Sequence, residues 1–148
     1  MTKSVLLGAF ALVIGFAITP AIAADTATFG HPVDLSSVRA NIKAHNYTAA
    51  LPELRDLAAT HPDADVYNLL GFVLRKTGDY KNSWIYYNKA LEMDPNHKGA
   101  HEYLGELYVE TGNLDKAREQ LAALTRLCPR GCEEREDLEK AIAAKARN

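Results

Sequence analysis

The sequence predicts an all-α fold of three helix hairpins, the first of them degenerate, followed by a C-terminal capping helix. Three features indicate this fold: an internal period of 34 residues, glycines at the ends of helical segments, and apolar residues spaced as on one helix face. A hairpin of this kind buries its apolar side only against a neighbour, so the units are expected to stack.

Residues 1–23 have the pattern of a secretory signal peptide. Lys3 is the only charged residue of the segment, and an apolar run extends from residue 5 to residue 18. Small residues, Ala21 and Ala23, precede the expected cleavage point. The run is shorter than the roughly 20 residues that a helix needs to cross a bilayer. We therefore expect export to the periplasm or cell envelope of a bacterium, and an uncleaved anchor is the alternative.

The chain without this segment has about 125 residues, which suits one domain with a modest core. Its 16 lysines and arginines against 19 acidic residues give a net charge of −3. The clustered basic residues that bind nucleic acid are missing, so we expect no nucleic-acid partner. We also expect no membrane span after cleavage, because no second apolar segment of spanning length follows. Residues 24–33 are an expected disordered leader of a domain at 34–148.

Residues 34–63 form a weak first unit. They match the second half of the next unit at an offset of 33, at Tyr47, Ala50, Leu54, Leu57 and Pro62. The first half fits less well, although Leu35, Val38 and Ile42 share one helix face. Pro52 is expected to distort the second helix slightly. Degenerate end units are normal because one of their faces is turned to water.

The two strong units, residues 64–97 and 98–131, agree at fixed small and apolar positions. The matched pairs are Leu70-Gly71 with Leu104-Gly105, Gly78 with Gly112, Tyr80 with Leu114, Tyr87 with Leu121, and Pro95 with Pro129. Gly71 and Gly105 lie inside predicted helices, where glycine costs about 1 kcal/mol relative to alanine. These two glycines therefore indicate that the backbone of a neighbouring helix packs closely against each of them.

The ends of the helices in these units are also marked. Gly78 and Gly112 stand where a left-handed residue ends a helix. Asp79 and Asn113 follow them directly and are good N-caps for the next helix. The segment 94–96, Asp-Pro-Asn, is expected to stop that helix and to cap the following one.

This order of aromatic, Leu-Gly, aromatic, Ala, aromatic and Pro positions strongly resembles the tetratricopeptide repeat. The departures are Ser83 and Leu124, which stand where alanine is usual. The resemblance implies an array whose first helices line a concave face that binds proteins or peptides. The sequence has no glycine-rich phosphate loop, no Gly-x-Ser-x-Gly and no Ser-His-Asp set, so we expect no enzyme activity and no cofactor.

The final segment, residues 133–147, is expected to be a polar helix that caps the array. Leu138, Ile142 and Ala146 share one of its faces. Acidic residues crowd its first turns and basic residues its last, which suits the helix dipole.

The only two cysteines, Cys128 and Cys132, flank Pro129 and Gly131 at the junction between the last hairpin and the capping helix. An exported chain meets an oxidising environment, and a spacing of four across a bend permits a disulfide. We expect this disulfide to pin the capping helix. A redox role is the weaker interpretation, because a thioredoxin-like motif has two intervening residues and a strand before its helix.

His97 and His101 leave a second alternative open. They are four residues apart at the start of the last unit's first helix, which should lie near Cys128 at the end of the second. Together with both cysteines they could form a tetrahedral zinc site. Such a metal site competes with the disulfide for the same sulfurs, and it makes a metal-binding or thiol-redox protein the alternative function.

The concave face should carry the residues that contact a partner. They are Asn68, Phe72, Arg75, Lys76, Glu102, Tyr103, Glu106 and Glu110. We expect an exposed Phe72 beside an acidic stripe of glutamates, which favours a basic protein or peptide. A solvated helix face is the alternative interpretation. The resemblance disfavours a C-terminal carboxylate as ligand, because Glu102 and Glu106 stand where carboxylate-binding family members use Lys and Asn. Incompletely covered end units make a homodimer a further expectation.

Overall fold

The computed structural model describes residues 33–147, and these form seven α-helices and no strand. The helices are α1 Ser36–Lys43, α2 Tyr47–Thr60, α3 Ala64–Lys76, α4 Tyr80–Met93, α5 Lys98–Glu110, α6 Leu114–Leu127 and α7 Glu133–Ala146. The predicted signal peptide and nearly all of the predicted leader lie outside the described residues. Over the described range, none of the helices combines the length and the apolar character that a bilayer span requires.

The helices pack as three consecutive hairpins, α1 with α2, α3 with α4, and α5 with α6, and α7 lies against both α5 and α6. The predicted all-α array with a capping helix is therefore confirmed. The 34-residue period is also visible in the helix bounds. Helices α3 and α4 begin at residues 64 and 80, and α5 and α6 begin at residues 98 and 114. Helix α1, with eight residues, is the shortest helix of the described range.

The turns inside the two strong units follow the predicted pattern. Gly78 and Gly112 have φ values of +86° and +82°, in the left-handed region where only glycine is unstrained. The Asp79 side chain accepts a hydrogen bond from the backbone N–H near the start of α4, and Asn113 does the same for α6. These caps satisfy backbone donors that would otherwise lack a partner.

The cap of α5 differs from the sequence-based prediction, which placed it within residues 94–96. The N-cap is His97, whose Nδ1 accepts a hydrogen bond from the backbone N–H of Ala100 at 3.1 Å. The reason is a local turn in which the Asp94 carboxylate accepts from the backbone N–H of Asn96 at 2.9 Å. That turn uses the aspartate oxygen and moves the start of the helix one residue further along.

Close helix packing explains the two internal glycines. A Cβ atom on Gly71 would lie 2.7 Å from the ring of Tyr87 on α4. A Cβ atom on Gly105 would overlap the side chain of Leu138 on α7. Leu138 is fully buried, so the capping helix packs directly against α5 at Gly105, where no side chain separates the two helices. Ala146, by contrast, is exposed and does not extend the buried face of α7.

Candidate functional site

The eight predicted contact residues all lie on α3 and α5, and we call the surface that these two helices form the inner face. The structure divides the eight residues between two neighbouring regions. One is an aromatic and charged floor, made of Phe72, Arg75, Lys76, Tyr103, Glu106 and Glu110. The other is a cavity that contains Asn68 and Glu102 and is also bordered by Tyr103.

Phe72 is half-buried, whereas the sequence pattern predicted an exposed side chain. Its ring packs between Tyr47 of α2, with ring centroids 6.3 Å apart, and Tyr103 of α5, at 5.0 Å. Aromatic neighbours from the adjacent hairpins cover it on both sides. The row of rings therefore forms a continuous floor across the three hairpins, in place of a single exposed anchor.

Arg75 is buried, with an exposed fraction of 3%, and reaches across from α3 to α5. Its Nη2 lies 2.5 Å from Glu106 and its Nη1 lies 2.5 Å from Glu110. Its Nε donates to the hydroxyl of Tyr87 at 3.3 Å. Burial alone would lower the pKa of Arg75, but the surrounding oxygens outweigh this effect and raise it. The guanidinium stays charged, and its ion pairs connect α3 of the second hairpin to α5 of the third.

These ion pairs change the charge of the predicted acidic stripe. Glu106 and Glu110 share the charge of Arg75 and are less available to a basic partner than their spacing suggested. Lys76 is exposed, and its Nζ lies 5.3 Å from the centroid of the Phe72 ring, within cation–π range. The floor thus presents both signs of charge around an aromatic centre.

The cavity has a volume of about 380 Å³ and lies between α3, α5 and α7, with Arg39 of α1 at its edge. Asn68 and Glu102, which stand 34 residues apart at the same position of the two strong units, are its most enclosed polar residues. Their exposed fractions are 6% and 9%. Carboxylates of α7 complete the wall, so the capping helix forms part of the cavity.

Glu102 is held in an unfavourable environment for a negative charge. Burial is the largest cause, and the carboxylates of Glu106, Asp137 and Glu134 follow. Together they raise the pKa of Glu102 to about 8, and the nearby charge of Arg75 offsets only part of the effect. At neutral pH this side chain is therefore mostly protonated, and the spacing of glutamates in the sequence does not predict this.

Several other charged groups around the cavity already have partners. Asp65 lies 3.1 Å from Arg39 and 2.9 Å from Nε2 of His97. On α7, Glu134 pairs with Lys98 of α5 at 3.6 Å, and Asp137 pairs with Lys140 at 2.9 Å. Those pairs are exposed in part and contribute little stability individually.

The cysteines are paired with each other. The structure joins Cys128 to Cys132, with their Cα atoms 6.0 Å apart, between the end of α6 and the start of α7. Gly131 has a φ of +100° and makes the bend that brings them together. The oxidation state of the pair in the cell remains a prediction.

The histidines of the alternative zinc site are engaged elsewhere. His97 caps α5 with one ring nitrogen and contacts Asp65 with the other. His101 contacts the side chain of Gln120 at 2.8 Å and the carbonyl of Pro95 at 3.0 Å. Across residues 33–147, no three histidine, cysteine or acidic side chains are placed so that they could hold one metal ion. The proposed four-residue cluster is therefore not assembled in the described part of the chain.

Sequence comparisons identify the repeat. Two family models described as tetratricopeptide repeat match the chain, one over residues 35–98 and the other over residues 74–127. Together they cover residues 35–127, which is more than half of the chain.

Two curated relatives, both called uncharacterized protein ycf37, match part of the chain. The protein of Guillardia theta is 36% identical over 56 residues, which are 38% of this chain and 32% of the relative. The protein of Pyropia yezoensis is 34% identical over 71 residues, which are 46% of this chain and 40% of the relative. The match spans only a third to two fifths of the length of these relatives.

Solved structures agree at the level of the fold. The type III secretion translocator chaperone SycD of Yersinia enterocolitica gives a TM-score of 0.64 at 18% identity, covering 76% of this chain and 85% of SycD. PcrH, in complex with the chaperone binding region of PopD, gives a TM-score of 0.63 at 20% identity, covering 75% of this chain and 84% of PcrH. With the repeat period, the stacked hairpins and the family matches in agreement, the chain belongs to the tetratricopeptide repeat family.

Proposed function

We propose that the protein binds another protein or a peptide along its inner face, as a non-catalytic module in the periplasm or cell envelope of a bacterium. The repeat family and the fold support a protein–protein interaction scaffold. The observation that carries the proposal is the inner face itself, where an aromatic floor adjoins a cavity lined by enclosed polar groups. Such a combination of apolar area and a few polar groups is typical of binding sites.

The solved structures are consistent with this use of the fold. PcrH is seen with the chaperone binding regions of PopD and PopB, so a similar array holds segments of other proteins. The identity of about 20% does not transfer those partners to this chain. The inner face here has its own charges, and its partner is expected to carry basic residues, because acidic residues outnumber lysines and arginines in the lining of the cavity.

Site-specific photo-crosslinking tests the proposal. A photoreactive residue replaces the exposed Lys76 on the inner face, and the matched control replaces the exposed Glu119 on α6. We expect a crosslinked product in the envelope fraction from position 76 and none from position 119. A product at twice the mass of the chain would identify self-association as the interaction. Equal products from both positions, or none from position 76, would contradict binding at the inner face.

A further inference from the structure

The cavity between α3, α5 and α7 holds two buried polar groups that the described residues do not satisfy. The Oδ1 atom of Asn68 is enclosed and has no hydrogen-bond partner. The Glu102 carboxyl group lines the same cavity and has no hydrogen bond or ion pair with any of residues 33–147. An unsatisfied buried polar group costs about 1–3 kcal/mol, and folded proteins contain few. This cost applies to Asn68 Oδ1, whereas the Glu102 carboxyl group keeps some solvent contact; because both residues line one cavity, a single group bound there could satisfy both.

The charges around the cavity indicate the sign of that group. Five carboxylates line it, from Asp65, Glu102, Glu133, Glu134 and Asp137, whereas Arg39 is the only lysine or arginine in its lining. Three of the five have the cationic partners described above. Glu102 and Glu133 remain without one, so the cavity is negative overall and favours a cation when Glu102 is ionised.

Gly99 keeps this space open beside Asn68. A Cβ atom at residue 99 would lie 3.2 Å from Nδ2 of Asn68, closer than ordinary contact, so the amide would have to shift slightly. The wall therefore has no side chain at the place where a ligand would approach the Asn68 amide. An amide oxygen and a carboxylate are both acceptors, so the matching ligand presents several N–H donors.

We propose that the cavity takes one cationic side chain of the partner, a lysine ammonium or an arginine guanidinium, whose N–H groups donate to the Glu102 carboxylate and, once the Asn68 amide turns its oxygen toward the ligand, to Asn68 Oδ1. The inference rests on the proposed function, because it names the group that a partner presents to the inner face. Both cations offer at least three donors, and a charged donor paired with a carboxylate makes a strong hydrogen bond.

Binding of a cation here is coupled to a proton. The pKa of Glu102 without a bound cation is about 8, so at neutral pH the ligand must displace the proton that this group holds. The charged groups that face Glu102 are Glu106 on its own helix, Glu134 and Asp137 on α7, and Arg75 on α3. A lysine side chain keeps its charge up to about pH 10. Affinity should therefore increase as the pH rises from 6.5 to 8.5.

Chemical-shift titration of the isotope-labelled protein tests the inference. The probes are N-acetyl-lysine amide and N-acetyl-arginine amide, and their neutral counterparts are the Nε-acetylated lysine compound and N-acetyl-citrulline amide. We expect saturable shifts at Gly99 and at the Asn68 side-chain amide with the charged probes only. Binding should be about tenfold tighter or more at pH 8.5 than at pH 6.5. The lysine and arginine arms show which cation fits.

Variants locate the site. Glu102→Gln and Asn68→Leu should each weaken binding of the charged probe by about tenfold or more, and Glu102→Gln should lose the pH dependence. Glu119→Gln, on α6 and outside the cavity, is the matched control and should bind normally. Neutral probes that bind as well as charged ones, in the unaltered protein, would overturn the inference. So would normal binding by Glu102→Gln.

The two proposals fail in different ways. If the charged probes bind as expected but position 76 captures no partner, the cation site stands and the proposed function is contradicted. If position 76 captures a partner while charged and neutral probes do not differ, the function stands and the cation site is overturned.

Discussion

Glu102 is the residue at which burial and ionisation conflict most clearly. An exposed glutamate has a pKa near 4.5, and the pKa of Glu102 in the folded protein is about 8. Between these values the folded state binds a proton that the unfolded chain has released. Because stability falls with pH wherever the folded state binds more protons, Glu102 lowers the free energy of unfolding as the pH rises from about 4.5 to 8.

Replacing this carboxyl group with an amide should remove that effect. We expect Glu102→Gln and the unaltered protein to have similar free energies of unfolding at pH 5. At pH 8.5 the variant should be more stable by about 1–2 kcal/mol, a range reduced because Glu102 keeps some contact with solvent. Urea unfolding at several pH values measures the difference. Glu119→Gln should follow the unaltered protein, and parallel curves for all three proteins would contradict the raised pKa.

The sequence shows part of this residue-scale picture. Asn68 and Glu102 stand 34 residues apart, so their equivalence in the two units can be read directly. The surroundings of Glu102 cannot, because they include the carboxylates of Glu134 and Asp137 on α7, which the repeat pattern does not position. The same holds for Arg75, whose spacing places it on the inner face, while its long side chain turns inward to reach Glu106 and Glu110 of the next unit.

At the scale of elements, local sequence signals are sufficient to predict most of the helix boundaries. Helix starts, left-handed glycines and the caps Asp79 and Asn113 all depend on chemistry within a few residues, and the structure confirms them. The cap of α5 was placed wrongly because two side chains compete there. Asp94 is used by its own turn, and a histidine nitrogen, an uncommon cap, takes the role.

The junction between α6 and α7 leads to a prediction about the capping helix. If Cys128 and Cys132 form a disulfide in the exported protein, replacing both with alanine should lower the free energy of unfolding by about 1–2 kcal/mol, since the closed loop is short. The fold should persist, because the core of the two strong units does not include the cysteines. Amide exchange should become faster in α7 before it does elsewhere.

Reduction of the unaltered protein is the matched control and should reproduce the effect of the double substitution. Protein isolated from the envelope without reductant should show no reactive thiols. Two reactive thiols together with one bound zinc ion would contradict the disulfide and would favour the cluster with His97 and His101.

At the scale of the whole molecule, the predicted signal peptide leads to a prediction about where the array is found. Lys3, the apolar run and the small residues before position 24 predict removal of residues 1–23. We expect the protein of the envelope fraction to begin at Ala24 or Asp25, as measured by N-terminal sequencing. An Ala23→Arg variant should accumulate as the longer form, because a large charged residue does not suit the cleavage position. Met1 retained on the mature protein would contradict cleavage.

The ion pairs of the buried Arg75 with Glu106 and Glu110 also affect how the array unfolds. In stacked repeats each unit has its own stability, and neighbouring units are coupled through their interface. Here that interface contains the ion pairs of Arg75 with Glu106 and Glu110, which form only while α3 and α5 stay together. Detaching the third hairpin alone would break both ion pairs and separate the Phe72 and Tyr103 rings. We therefore expect the two strong units, α3–α4 and α5–α6, to unfold as one cooperative block.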